Sequence, residues 1–402
     1  MSSAASLSDP RPSLAEPGAP RYDGLVLLLV GTLMTLGAVM VFSASVTLTG
    51  EVFSWSNWWH TPLRQCVFAL VGFFAMVWVA YLGDRLWVWE RPGDGWWAGT
   101  LYVLALVLLI AMLVPGIGAS ALGARRAIVV LHHPVSLSFQ PAEFAKVVLV
   151  VWLAALLGQP QRDMRSFRDG YLPALLTGGL LIGLTGIEDY GTAALMGTVM
   201  LAMLVIARAR WLHLFGTGLL GLAGGVGLLL LKPHRLPRIE AWLAGDVDPL
   251  GAGYQVTQAL IAIGFGGWTG RGLGNGVQKY GYLPQDNNDF IFAIVCEELG
   301  VVGGLVVIAL FLLLLWRGWR ISRAAPDRFG QLLAAGITLT VCLQAAFNIA
   351  VVTNAVPTKG ISLPFVSAGG SGVLFLGMAA GLLASVGRHL DRPVSGIREP
   401  AG

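Results

Sequence analysis

Apolar residues run along this chain in unbroken blocks, without the strict alternation of a half-buried strand or the narrow 3.6-residue stripe of a surface helix. A block apolar on all sides predicts a helix buried in protein or lipid, and about 20 residues are needed to cross a bilayer. Ten such blocks can be read: Leu25–Val46, Cys66–Leu82, Ala98–Val114, Ala142–Leu157, Tyr171–Ile187, Gly191–Ile206, His213–Leu231, Phe290–Trp316, Leu332–Val352 and Val373–Val386. The first, at 22 residues, exceeds the roughly 7 to 15 of a signal-peptide core and predicts a retained anchor. Three long connections separate the blocks: 115–141, 232–289 and 353–372. The middle one, 58 residues long, contains GFGGWTGRGLGNG, too rich in glycine for a regular helix. It also holds an apolar stretch, Val256–Phe265, that predicts a short or re-entrant helix. Residues 1–24, rich in Ser, Pro and Ala, predict a disordered tail, and 391–402 a second tail.

Composition turns these blocks into a class. Of 402 residues 55% are apolar and 12% charged, where a soluble domain carries about 25% charged, and the mean hydropathy is +0.72. The fold class expected is an all-α polytopic integral membrane protein of about ten spans, with membrane lipid as its surroundings. Net charge is +4, but no stretch gathers Lys and Arg on one face, which argues against a nucleic-acid partner. The basic residues read instead as topology: 16 of the 26 Lys and Arg fall on one side of the ten spans. By the positive-inside rule both termini are then cytoplasmic and the three long connections are outside, with Trp55, Trp58 and Trp59 in the outer aromatic belt. Cys66, Cys296 and Cys342 each fall near or in an apolar segment and read as inert core thiols.

Ionisable groups within spans cost about 2.5–3.5 kcal/mol each on insertion scales, so they demand partners and mark function. In the fourth span Glu143 and Lys146 stand three residues apart, close enough to pair. The pair reads either as self-neutralising structure or as a wall of a polar substrate cavity. The eighth span opens with Asp289 and carries Glu297 and Glu298 about two turns deeper. Asp289 alone is equally a helix cap. Arg235, Arg238, Arg271 and Lys279 in the outer connection, with Lys359 in PTKGISLPF, face away from the side where basic residues gather. They suit either anionic headgroups or a phosphate or pyrophosphate ligand, for which Arg offers a two-pronged donor. No GxxxxGK[ST], HExxH or GxSxG occurs, and the adjacent His132 and His133 read as solvated.

GARRAI, FQPAEFAK, EDYGTA, HRLPRIEAWL, GAGYQVTQALIAIGFGGWTGRGLGNGVQK, YLPQDNNDFIFAIVCEELG and NAVPTKGISLPFVSAGGSG follow one another along the chain. With these pieces, over about residues 25 to 390, the sequence closely resembles the SEDS family of bacterial cell-wall proteins, the FtsW, RodA and SpoVE group. The resemblance implies a ten-span glycosyltransferase that polymerises lipid II, the undecaprenyl-pyrophosphate disaccharide-pentapeptide, into β-1,4 glycan strands at the outer membrane face. It implies that Asp289 is the essential acid, a general base on the acceptor hydroxyl, and that outer-side Arg and Lys stabilise the pyrophosphate. Substrate-binding candidates on this resemblance are Glu143, Lys146, Asp189, Arg235, Arg238, Gln255, Lys279, Glu298, Lys359 and Ser367, with Arg125 and Arg126 less secure. No metal ligand set and no cofactor is called for, although Asp286, three residues before Asp289, could share its proton or bind a divalent cation. Partners implied are a class B penicillin-binding protein that crosslinks the strand and other division proteins, since PTKG and YLPQ resemble the division and sporulation members. The chain departs from the family pattern at Ala127, at Asn287 and Asn288, in SAGGSG, and in extra residues around His132 to Ser138.

Two other functions fit ten spans with buried charge. A lipid II flippase or transporter also has broken helices, but its alternating cavity needs groups on both sides. A non-catalytic division scaffold would use Asp289 for structure alone.

Overall fold

The computed structural model describes residues 22–45, 60–87, 96–114, 118–121, 124–131, 137–231, 240, 242, 253–280, 282–283 and 288–390. The tails beyond residues 22 and 390, Trp55, Trp58 and Trp59, Arg235 and Arg238, and Asp286 and Asn287 lie outside the described residues, as do the side chains of Arg125 and Arg126.

Each apolar block is a helix: α1 Gly24–Ser45, α2 His60–Trp87, α3 Trp96–Leu113, α4 Pro141–Leu157, α5 Leu172–Glu188, α6 Tyr190–Ile206, α7 Trp211–Leu231, α9 Ile291–Ala324, α10 Arg328–Val352 and α11 Gly370–Val386. The short helix expected in the middle connection is α8, Tyr254–Gly266. Among the described residues, five helical segments are long and apolar enough to cross a membrane by length and composition alone, and the shorter apolar ones pack beside them. The connection 115–141, read only as a loop, contains a three-stranded antiparallel sheet in the order β1 Gly118–Ala121, β2 Ala124–Leu131, β3 Leu137–Phe139. The β-branched run AIVVL supplies the strand preference. Pairing steps from Ala119↔Ala127 to Ser120↔Arg125, which leaves Arg126 in a bulge. Cys66 is exposed, where a core thiol was expected, while Cys296 is buried and Cys342 intermediate.

Small residues let the helices touch. A Cβ on Gly377 of α11 would stand 2.9 Å from the carbonyl of Gly72 in α2, and one on Gly381 would collide with the carbonyl of Met76. At one end of the bundle Asp23 ties three helices. Its carboxylate meets Arg317 of α9 at 2.7 Å and accepts from the Val26 amide at 3.0 Å, while its own amide donates to Ala384 of α11 at 2.9 Å.

At the opposite end α9 is broken. Gly300 has φ 73° and ψ −176°, a region open essentially to glycine alone, and a Cβ there would strike the Trp268 carbonyl. The break frees carbonyls that a continuous helix would use. The glycine-rich segment takes them: the Arg271 amide donates to Glu297 O at 3.0 Å, and Gly272 to Glu298 O at 3.0 Å. In return the Val301 amide donates to Gly267 O at 2.8 Å.

The two glutamate side chains fasten the same segment. Glu297, fully buried, accepts from the amide of Val277 at 2.7 Å and from that of Gln278. Glu298 accepts from the Lys279 ammonium at 3.0 Å and from the Ser43 hydroxyl at the end of α1. Lys279 places its other hydrogens on the carbonyls of Gly274, at 2.7 Å, and Ser43, at 3.1 Å. An ammonium has three donors, and all three are used inside the protein. Lys279 and Glu298, both expected at the substrate, have side chains 0% exposed and paired with each other.

Removing one member of a buried pair strands the other, at a cost of about 3–5 kcal/mol. Lys279→Met should lower the thermal midpoint of the purified protein strongly, and Lys279→Met with Glu298→Leu should recover much of the loss. A single variant that melts like wild type would show that the pair does not hold this loop.

Candidate functional site

Asp289 stands in the turn that delivers the chain into α9, half-buried, at the opposite end of the bundle from the Asp23–Arg317 pair. The helix begins at Ile291 with Phe290 at the N-cap, so Asp289 lies one residue outside the capping position. The backbone on either side is clamped. The Asn348 side-chain amide of α10 donates to the Asp289 carbonyl at 2.7 Å, and the Ser367 hydroxyl donates to the Asn288 carbonyl at 2.6 Å. Ser367 also accepts from the Leu363 amide at 2.7 Å and is 2% exposed. Ser367, expected at the substrate, thus bonds the backbone that leads into Asp289.

Beside Asn288 opens a polar cavity of about 200 Å³, lined by Arg64, Ser138, Gln140, Asn288 and Ser371, with Phe68 as its apolar wall. Three elements meet there. Arg64 comes from the first turns of α2, Gln140 from the residue before α4, and Gly369, Gly370 and Ser371 from the start of α11. Gln65 joins α2 to α11 by donating to the Ser367 carbonyl at 3.3 Å and accepting from the Gly369 amide at 3.2 Å. A guanidinium beside helix-start amides favours anionic oxygens. Arg64 carried no role in the sequence reading; its signal was a cation at the threshold of an apolar block.

The Glu143–Lys146 pair forms as its spacing implies, at 2.9 Å, with both residues buried. The structure adds a third member, because the Lys146 ammonium also donates to Gln344 of α10 at 2.6 Å. The second Glu143 oxygen has no hydrogen-bond partner among the described residues, and it faces Gly372 in the first turn of α11, where a Cβ would lie 3.1 Å away. A helix start partly compensates a carboxylate so placed.

Asp189, also expected at the substrate, caps the first turn of α6, accepting from the Thr192 amide at 3.1 Å and the Thr192 hydroxyl at 2.8 Å. The next residue, Tyr190, offers its ring to Lys359, whose ammonium stands 5.0 Å from the ring centroid. Lys359 lies half-buried in the connection between α10 and α11, and burial pushes its ammonium below the ordinary lysine range. An aromatic face attracts a cation but leaves its donors open to other acceptors. Gln255 sits half-buried in the first turn of α8 and makes no hydrogen bond to the Asp289 cluster among the described residues. No group of three His, Cys, Asp or Glu with metal-binding geometry occurs among the described residues.

One end of the bundle thus gathers a half-buried carboxylate on a clamped backbone, a polar cavity with an arginine, and a lysine whose ammonium rests on an aromatic ring. This equipment suits proton removal beside a departing anion.

Comparison with known proteins places this arrangement. The model of the FtsW/RodA/SpoVE family, described as "Cell cycle protein", matches residues 23–392. Stage V sporulation protein E of Bacillus subtilis (strain 168) is 39% identical over 368 residues, covering 91% of this chain and 97% of that one. A probable peptidoglycan glycosyltransferase FtsW of Trichlorobacter lovleyi is 37% identical, covering 93% and 96%. Among solved structures, a chain from work on structural coordination of polymerization and crosslinking by a peptidoglycan synthase complex superposes with a TM-score of 0.69 at 27% identity, covering 92% and 99%. The crystal structure of the rod shape determining protein RodA of Thermus thermophilus gives 0.63 at 26%, covering 94% and 100%.

Proposed function

This chain belongs to the FtsW/RodA/SpoVE family of cell cycle proteins, and from that premise we propose that Asp289 is the general base of its glycosyl transfer. It is a multi-pass membrane protein and a peptidoglycan glycosyltransferase. The observation that supports Asp289 is its setting: a carboxylate on a doubly clamped backbone next to a cavity able to hold an anion.

The substrate is lipid II. The 4-hydroxyl of the acceptor GlcNAc attacks the anomeric carbon of the donor, Asp289 takes the hydroxyl proton, and the bond to the undecaprenyl pyrophosphate breaks with its electron pair. An α-linked donor then gives a β-1,4 product in one inverting displacement, and no second nucleophilic carboxylate is needed. Arg64 and Lys359 are the described cations placed to meet charge on the leaving group, with Arg235 and Arg238 as further candidates. Glu143 and Lys146, tied to α10 through Gln344, are further substrate-binding candidates, as is Gln255. We read both termini as cytoplasmic and Asp289 as facing outward, a reading supported by the described arginines at the Asp23 end, among them Arg317, Arg320, Arg323 and Arg328. The likeness to a chain of a complex that joins polymerization to crosslinking supports a class B penicillin-binding protein as partner, in cell division.

Asp289→Ala should abolish glycan-chain formation from purified lipid II, with the protein folded and its partner bound. Glycan chains from the purified variant would remove Asp289 from the role of base, and lipid II translocation in vesicles without polymer would favour a flippase. Lys359 supplies a separate test through pH. Its cation is present below its lowered pKa and is lost as pH rises through it, so turnover should decline on the alkaline side earlier than an ordinary lysine allows. Lys359→Arg, charged throughout, should extend activity to higher pH, and Lys359→Met should lower kcat by about 10²-fold, the usual cost of losing one charge-stabilising donor. An alkaline limb unchanged in the arginine variant would exclude Lys359 from the leaving-group site.

A further inference from the structure

Two primary amides, Gln344 and Asn348, stand one turn apart on α10, each 1% exposed, and the family reaction as set out above uses neither. Their bonds join pieces of the site that are distant in sequence. The Gln344 oxygen accepts from the Lys146 ammonium at 2.6 Å, and its nitrogen donates to the Ser362 carbonyl at 2.9 Å. The Asn348 nitrogen donates to the Asp289 carbonyl at 2.7 Å and to the Ile361 carbonyl at 2.8 Å. A primary amide nitrogen has two hydrogens, so both are committed.

We propose that Asn348 is a positioning residue for the transfer reaction, setting Asp289 and the Lys359-bearing segment at a fixed distance through one amide, with Gln344 tying the same segment to Lys146. This rests on the reading of Asp289 as the base.

The choice of residue supports the assignment. The Asn348 oxygen is buried with no hydrogen-bond partner among the described residues, so the side chain is held where half its bonding capacity goes unused there. A buried unsatisfied acceptor is costly, and it persists where the donors on the other side of the same group are needed. Aspartate has the same shape but would turn oxygen lone pairs towards two carbonyls. Leucine fills the space and leaves both carbonyls orphaned in a dry setting. Asn348 thereby fixes Ile361, two residues from Lys359, to Asp289 itself, so a shift of one carries the other. Ser367 adds a second hold, on the carbonyl of Asn288, from the same connecting segment. A carboxylate displaced by about 1 Å from its reacting atom loses on the order of 10²-fold in rate without losing the substrate.

The test is steady-state polymerisation of lipid II by the full-length protein with its crosslinking partner, across pH, for Asn348→Leu, Asn348→Asp, Asn348→Ser and Gln344→Leu. Thr340→Val serves as the control, since the Thr340 hydroxyl bonds only within its own helix, to the Gly336 carbonyl. Expected for Asn348→Leu and Asn348→Asp is a fall in kcat of about 10²-fold per folded molecule, with KM within about twofold and a shifted acid limb of the pH profile. Asn348→Ser, which keeps one donor, should fall between these and wild type, and it carries the test if the larger changes prevent folding. Gln344→Leu should lower kcat less, because Asp289 keeps its own clamp. Activity that falls only as the folded fraction falls, with KM and pH profile unchanged, would overturn the proposal, as would a raised KM at constant kcat. Asp289→Asn runs alongside. If it polymerises, the base assignment fails and this inference with it; if it is inactive while Asn348→Leu keeps wild-type kcat, only the positioning role fails.

Discussion

A chain that folds among lipid tails has no water to fall back on, so every interior carbonyl, amide and charge must find its partner within the protein. The break in α9 at Gly300 shows how far that constraint reaches. It opens a helix in the interior, and the carbonyls so freed are answered by the amides of Arg271 and Gly272. Glu297 and Glu298 then fasten the next residues of the same segment, and Lys279 neutralises one of them while reaching back to α1. The glycine-rich segment is thus shaped by what the broken helix needs. Its glycines let backbone approach backbone, as where a Cβ on Gly266 would collide with the Cys296 carbonyl.

The same constraint separates structural charge from chemical charge. Lys279 has three donors and three protein acceptors, so nothing remains to offer a substrate. Among the described residues the Lys359 ammonium meets an aromatic face and no carboxylate, and burial lowers its pKa. Arg64 stands at a cavity wall. In sequence these three residues look alike, as basic groups outside the apolar blocks. Counting their committed hydrogens tells them apart.

The helices, their order and the short helix in the middle connection were legible in the sequence, because an apolar helix is specified by an apolar run and needs no partner to be recognised. Glu143–Lys146 was legible for the same local reason, a spacing of three on one helix. The role proposed for Asp289 came from the family resemblance alone, since an aspartate before an apolar run is equally a cap. What stayed hidden depends on contacts across long sequence distances. Glu298 with Lys279, Ser367 with Asn288, and Asn348 with Asp289 are made by tertiary packing that no periodicity encodes. The sheet in 115–141 was missed because its strands are short, although AIVVL carried a β signal. Gln344 and Asn348 did leave a trace, two amides four residues apart in an otherwise apolar helix, a spacing that puts them on one face.

The manner in which Asp289 is held bears on what it can do. Hydrogen bonds given to a carboxylate stabilise its charged form and lower its basicity, so a base oriented through its own oxygens is weakened by what orients it. The clamps from Asn348 and Ser367 act instead on the carbonyl oxygens of residues 289 and 288. They fix where the side chain starts from without drawing on the lone pairs that must accept a proton. The cost is moved to Asn348, whose oxygen is left unsatisfied, and to a stretch of backbone that must pair with α10 and with the segment before α11. A single inverting displacement needs one base at one place and a leaving group on the opposite side of the sugar. On the reading of Asp289 as that base, a backbone held by Asn348 and Ser367 answers the first requirement, and cations on separate elements, Arg64 on α2 and Lys359 beyond α10, answer the second.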